Sequence, residues 1–100
     1  MAEDNFAKLM GWHSEATAKC FSAAIRQAGI AKVRVAMMSE NYSPALMESI
    51  AVDEMRRSAL CASHGVTLAE VVASYRASVA WAESPEGAAV IAMLNEKTEN

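Results

Sequence analysis

Apolar and polar positions recur at helical steps through most of this chain. Between Ser14 and Ala28, Thr17, Phe21, Ala24, Ile25 and Ala28 share one face, and Glu15, Lys19, Ser22 and Arg26 share the other. That three-and-four spacing is the mark of an amphipathic helix. From Leu68 to about Glu83 a second stripe, Leu68, Val71, Val72, Tyr75, Val79 and Ala82, predicts a helix with its core face on that side. At 100° per residue, Glu70, Ser74, Ala77 and Trp81 fall opposite. Between Pro44 and about Ser63 the apolar residues Leu46, Met47, Ile50, Val52, Met55 and Leu60 go nearly all the way round, as suits a central helix touched on several sides. In Ile30 to Glu40, Lys32, Arg34 and Ala36 alternate with Val33, Val35 and Met37, which also fits a strand. A lone strand would leave its backbone groups without partners, so a helix is expected. Asp4 or Asn5 is placed to cap a short first turn with Phe6, Leu9 and Met10 inward. A break near Gly11 is expected because an unbroken helix would turn Trp12 away from the apolar face.

The helix starts are spelled out chemically. Ser43-Pro44 and Ser84-Pro85 each place a hydroxyl at the N-cap and proline at the first helical position, where the missing N–H had no partner anyway. Thr67 with Glu70 three residues on forms a capping-box pattern, with Val66 and Val71 at hydrophobic-staple positions. Ser14 caps the helix that stops at Gly29, the residue that most easily takes the left-handed C-cap conformation. The expected fold is all-α: a compact bundle of about five short helices forming one domain over residues 1–100, with 1–4 and 95–100 frayed.

Composition sharpens this picture in few places. The hydrophobic share is 53%, much of it alanine, and aromatics are only 6%, so Phe6, Phe21, Tyr75 and the tryptophans weigh heavily in the core. No apolar run reaches the roughly 18 residues of a membrane span, and Met1-Ala2-Glu3-Asp4 is acidic where a secretory signal is basic. A cytosolic protein without membrane contact is expected. Cys20 and Cys61 lack a Cys-x-x-Cys pattern or a histidine at ligand spacing and are read as buried reduced thiols. His64, just before Gly65, is placed to meet the last carbonyls of a helix. Of the methionines, Met37, Met38, Met47 and Met55 are expected to share space as gap-fillers.

The search for catalytic motifs is negative. There is no glycine-rich phosphate loop, no His-Glu-x-x-His and no nucleophile elbow, and Glu48, Asp53 and Glu54 are interleaved with Arg56 and Arg57 as ion pairs would be. The protein is therefore read as non-enzymatic, with no cofactor and no metal. The net charge of −3 is uneven: from Ser58 onward five glutamates face only Arg76 and Lys97. That balance is the opposite of a phosphate-binding surface, so direct DNA binding is not expected. Residues 56–74 nevertheless have the helix, Gly65-Val66, capped helix order of a helix-turn-helix unit. A small DNA-binding regulator thus stays open as an alternative, and so does a structural or oligomerising helical module.

As a whole, this mildly acidic, alanine-rich helical chain beginning Met1-Ala2-Glu3-Asp4-Asn5-Phe6 resembles the small phage-encoded anti-CRISPR proteins, in particular inhibitors of type I-F surveillance complexes. The resemblance implies a cofactor-free single-domain inhibitor, monomeric, in the cytoplasm of a bacterial host. It would dock on a multi-subunit CRISPR ribonucleoprotein complex, guided by crRNA, and deny it target DNA. Carboxylates often stand in such inhibitors where lysines would otherwise meet phosphates. The candidate partner-binding face is Glu70, Ser74, Trp81, Glu83 and Glu86, with Trp81 either packed on the Ser84–Leu94 helix or exposed to the partner. A second candidate surface is Lys32, Arg34, Arg56 and Arg57, suited to partner carboxylates or guide RNA.

Overall fold

Serine and threonine hydroxyls start four of the helices where the sequence puts them, at Ser14, Ser43, Thr67 and Ser84. The computed structural model describes residues 7–99. After a helical turn at residues 7–9 come six helices: α1 (Glu15–Ala28), α2 (Ile30–Met37), α3 (Pro44–Arg57), α4 (Leu60–Ser63), α5 (Leu68–Glu83) and α6 (Pro85–Glu99). Among the described residues there is no strand, so Ile30–Met37 is helical as expected. Ser14 and Thr17 form a reciprocal capping box on α1, and Ser43 Oγ accepts from Leu46 N at 3.3 Å. Thr67 Oγ1 accepts from Glu70 N at 3.1 Å. The Glu70 carboxylate takes the Thr67 hydroxyl at 3.2 Å, so no reciprocal box closes there. The cap predicted at Asp4 or Asn5, the inward Phe6 and the frayed residues 1–4 lie outside the described residues.

The expected count of about five helices falls short because the long helix predicted from Pro44 to Ser63 breaks at Ser58. Its hydroxyl donates back to Glu54 O at 2.8 Å, taking the carbonyl that its own N–H would need, and its backbone is extended. The same oxygen accepts from Leu60 N at 3.4 Å as α4 begins. His64 Nδ1 lies 2.9 Å from Leu60 O at the end of α4, the capping position read from sequence. At the other end of the chain, residues 95–99, expected to fray, continue α6.

Gly29 ends α1 and starts α2 with nothing between. Its N–H meets Ile25 O and Arg26 O, and its C=O accepts from Val33 N. Its φ of 102° lies where side-chain-bearing residues strain, but its ψ of 143° is outside the left-handed helical cap that was expected, because the chain must leave α1 extended to begin α2 at once.

The core is a sandwich of α1, α3 and α5. Cys20, Phe21 and Ala24 meet Met47, Ala51, Met55 and Val71, with α2 resting on α1 and α3 and α6 chiefly on α5. The chain does break at Gly11, and Trp12 turns in to complete an aromatic cluster. Phe21 and Tyr75 stack with centroids 4.2 Å apart, and Trp12 sits 5.6 Å from Phe21 and 6.0 Å from Tyr75. Leu9, expected inward, is exposed.

On α5 the apolar stripe meets the core as expected through Leu68, Val71 and Tyr75, but the opposite, polar side is covered too. Ala69, Ala73, Arg76, Ala80 and Glu83 form its solvent edge, while Val71 and Ser74 are fully buried. The helix is turned so that two serines face the N-terminal segment. Ser74 Oγ accepts from His13 N at 2.8 Å, and Ser78 Oγ donates to Met10 O at 2.9 Å. Gly11 makes the close approach possible, since a Cβ there would stand 2.7 Å from Ser78 Cα.

Candidate functional site

An eight-residue helix cannot bury every apolar side chain it carries. On α2 only Ala36 is buried, whereas Ile30, Val35, Met37 and Met38 beside it are 74%, 71%, 59% and 79% exposed. Where α1 and α2 diverge at Gly29 they leave an open groove of about 530 Å³, walled by Ile25, Ile30, Val33, Met37 and Met38, with Arg26 and Arg34 on its rim. The methionine set expected to share space is thus split: Met47 and Met55 fill the core, and Met37 and Met38 line this groove. The surrounding sequence is strongly one-signed. Residues 16–38 hold Lys19, Arg26, Lys32 and Arg34 and not one carboxylate.

A second, smaller groove of about 280 Å³ lies between the N-terminal segment, α5 and α6. Leu9, Met10, Trp81, Val90 and Leu94 form its apolar lining, and Glu86 stands at its edge. Ser84 sets the angle of α6, accepting from Gly87 N at 3.1 Å and donating to Trp81 O. Gly87 then lies directly on α5, where a Cβ would come 1.9 Å from Trp81 O. Trp81 is therefore half-buried, packed against its neighbours and open along one side.

These contacts divide the first candidate face. Trp81 and Glu86 share one groove, and Glu83 is exposed on the solvent edge of α5. Glu70 is exposed but belongs to the Thr67 cap, 13 residues before Glu83 and so about 20 Å away along the helix. Ser74 is a correction: it is fully buried and hydrogen-bonded, so it faces no partner. The 100° count put it on the polar side correctly, but that side is covered by the N-terminal segment.

The second candidate surface also separates. Arg34 joins Arg26 at the large groove, a residue the sequence reading assigned only to the polar face of α1. The signal that marks it is the acid-free run from 16 to 38. Lys32 and Arg57 instead act on Glu54, which is buried to 7% exposure and met by Gln27 Nε2 at 3.0 Å and by Arg57. The Gln27 bond first, then the Arg57 and Lys32 charges, hold this carboxyl below its ordinary range. Arg56 is exposed at the end of α3.

Elsewhere, Arg76 binds Glu48 through Nε at 2.8 Å and Nη2 at 3.1 Å, tying α5 to α3 and lowering the Glu48 pKa. The exposed edge of α5 thus offers a single cation, already paired, where a DNA-recognition helix needs several donors. Both cysteines are free; burial and then the neighbouring Cys61 thiol push Cys20 up to about 11. Among the described residues no three His, Cys, Asp or Glu side chains gather as a metal site, and no helix is long and apolar enough to cross a membrane. Compared with known proteins, the chain matches no family model, no curated protein and no solved structure.

Proposed function

We propose that the protein is a non-enzymatic inhibitor that docks on a crRNA-guided CRISPR surveillance complex and blocks its access to target DNA. The observation that carries this reading is the groove in which half-buried Trp81 and Glu86 stand together, with Glu83 exposed near it. An aromatic held rigidly at an open edge supplies binding area at little entropic cost. Carboxylates beside it would be steered toward a basic DNA channel and held there by charge-assisted bonds to lysine and arginine. The chain resemblance to type I-F inhibitors supplies the class of partner, and the acidic C-terminal half of the sequence suits it.

The test is a tagged pull-down from nuclease-treated lysate of a bacterium carrying a type I-F system, with the eluate identified by mass spectrometry. A stoichiometric surveillance complex is expected with the natural protein and is expected to be lost with Trp81→Ala or with Glu83→Lys and Glu86→Lys together. Recovery of the protein without the complex overturns the reading. Recovery that survives all three substitutions moves the contact away from this groove.

A further inference from the structure

We propose that the groove between α1 and α2 is a second docking site, and that it receives an amphipathic helix with carboxylates along its flanks, contributed by a partner protein. This goes beyond the Trp81 reading and stands on different residues.

The recognition mode follows from what the groove offers. Its floor and walls are side chains of two helices whose backbone bonds are internal, so it presents no edge to which a strand could add. Among the described residues it holds no aromatic on which a polyproline segment or a nucleic-acid base could stack. Two diverging helices leave a trough between ridges, and a third helix fills such a trough with side chains at i, i+3, i+4 and i+7. Met37 and Met38 line part of it, unbranched side chains that adapt to the shape of an incoming residue.

The sign of the partner follows from charge. Arg26 and Arg34 flank apolar walls, and no acid occurs anywhere from residue 16 to 38, although the whole chain is net −3. A second copy docked α2 to α2 would set Arg34 and Lys32 against themselves. Like charges facing across an interface oppose such a pairing, whereas glutamates flanking an apolar helix meet both rim arginines. A polynucleotide would satisfy the two arginines and leave Ile30, Val33 and Met38 covering nothing.

The experiment uses the full chain and two labelled peptides followed by fluorescence anisotropy. Both peptides carry leucines at i, i+3, i+4 and i+7; one has glutamates on the flanks and its twin has lysines in their place. The acidic peptide is expected to bind, with its twin weaker by roughly tenfold or more. Ile30→Glu and Met38→Glu sit at positions 74% and 79% exposed, so the fold tolerates them, and each is expected to lower affinity for the acidic peptide by at least about tenfold. Arg26→Glu with Arg34→Glu should reverse the preference toward the lysine peptide. Equal binding of the two peptides, or binding of neither, overturns the proposal. So does a mass that doubles with concentration and returns to monomer in Ile30→Glu, which would make a second copy the occupant. Binding to anionic vesicles lost in Ile30→Glu would make it a lipid surface and would equally overturn it. None of these substitutions touches Trp81, Glu83 or Glu86, so the two docking readings fail separately.

Discussion

Thr17 and Ser74, on α1 and α5, hold their hydroxyl oxygens 2.8 Å apart at positions 2% and 0% exposed. The Thr17 proton is committed to Ser14 O at 2.8 Å, so Ser74 is the donor in this pair, and Ser74 Oγ in turn accepts from His13 N. One short chain of hydrogen bonds thereby joins the cap of α1, the middle of α5 and the N-terminal segment. Ser74→Ala strands the His13 N–H and is expected to cost about 1–3 kcal/mol. Thr17→Val combined with Ser74→Ala should show a coupling of about 0.5–3 kcal/mol in a urea-unfolding cycle. Simple additivity would mean that the hydroxyls act independently.

Gly87→Ala should destabilise the protein even though alanine favours helix by about 1 kcal/mol. The new methyl would overlap the Trp81 carbonyl at 1.9 Å and its carbon at 2.7 Å, both backbone atoms, so α6 must shift off α5. A net loss of about 1–3 kcal/mol is expected, with a changed tryptophan emission as the smaller groove opens. Thermal unfolding and fluorescence read both.

Trp81→Ala should leave a folded protein. The side chain is half-buried, so its loss should cost less than the roughly 3–5 kcal/mol of deleting a fully buried aromatic. A retained helical circular-dichroism spectrum with a lowered Tm is the expected result. Complete unfolding would make this residue core and remove it as a contact.

Stability should fall above pH 9. The Cys20 thiol ionises at about 11 in the folded protein against an ordinary 9.0, because burial disfavours the thiolate and the Cys61 thiol adds to the effect. An unfolded chain therefore releases this proton first. The contribution is intact below 9.0 and is lost between 9.0 and about 11, at about 1.4 kcal/mol per pH unit. Tyr75, raised chiefly by burial, acts in the same direction. Urea midpoints at a series of alkaline pH values should show this limb and its flattening in Cys20→Ala. On the acid side Glu48 is lowered by its Arg76 bond, so its contribution is present above the ordinary carboxyl value and lost as pH falls through the folded one.

Helix starts and several helix ends were determined by sequence alone, because a cap is a contact between residues three or four apart. Ser14, Ser43, Thr67 and Ser84 each meet a backbone N–H three positions on, and His64 meets a carbonyl four positions back. Ser58 broke the longest predicted helix by the same local chemistry, a back-bond that composition and periodicity do not reveal. That the polar side of α5 is covered as well was decided only by tertiary structure. Its serines find partners 57 to 68 residues away, at Thr17, His13 and Met10, so the side opposite the apolar stripe is covered as well, while Leu68, Val71 and Tyr75 of the stripe pack on the core. The candidate surfaces follow the same division. The acid-free run from 16 to 38 is plain in the sequence, but the groove that gathers Arg26, Arg34 and the apolar side chains of α2 exists only because Gly29 turns one helix away from the other.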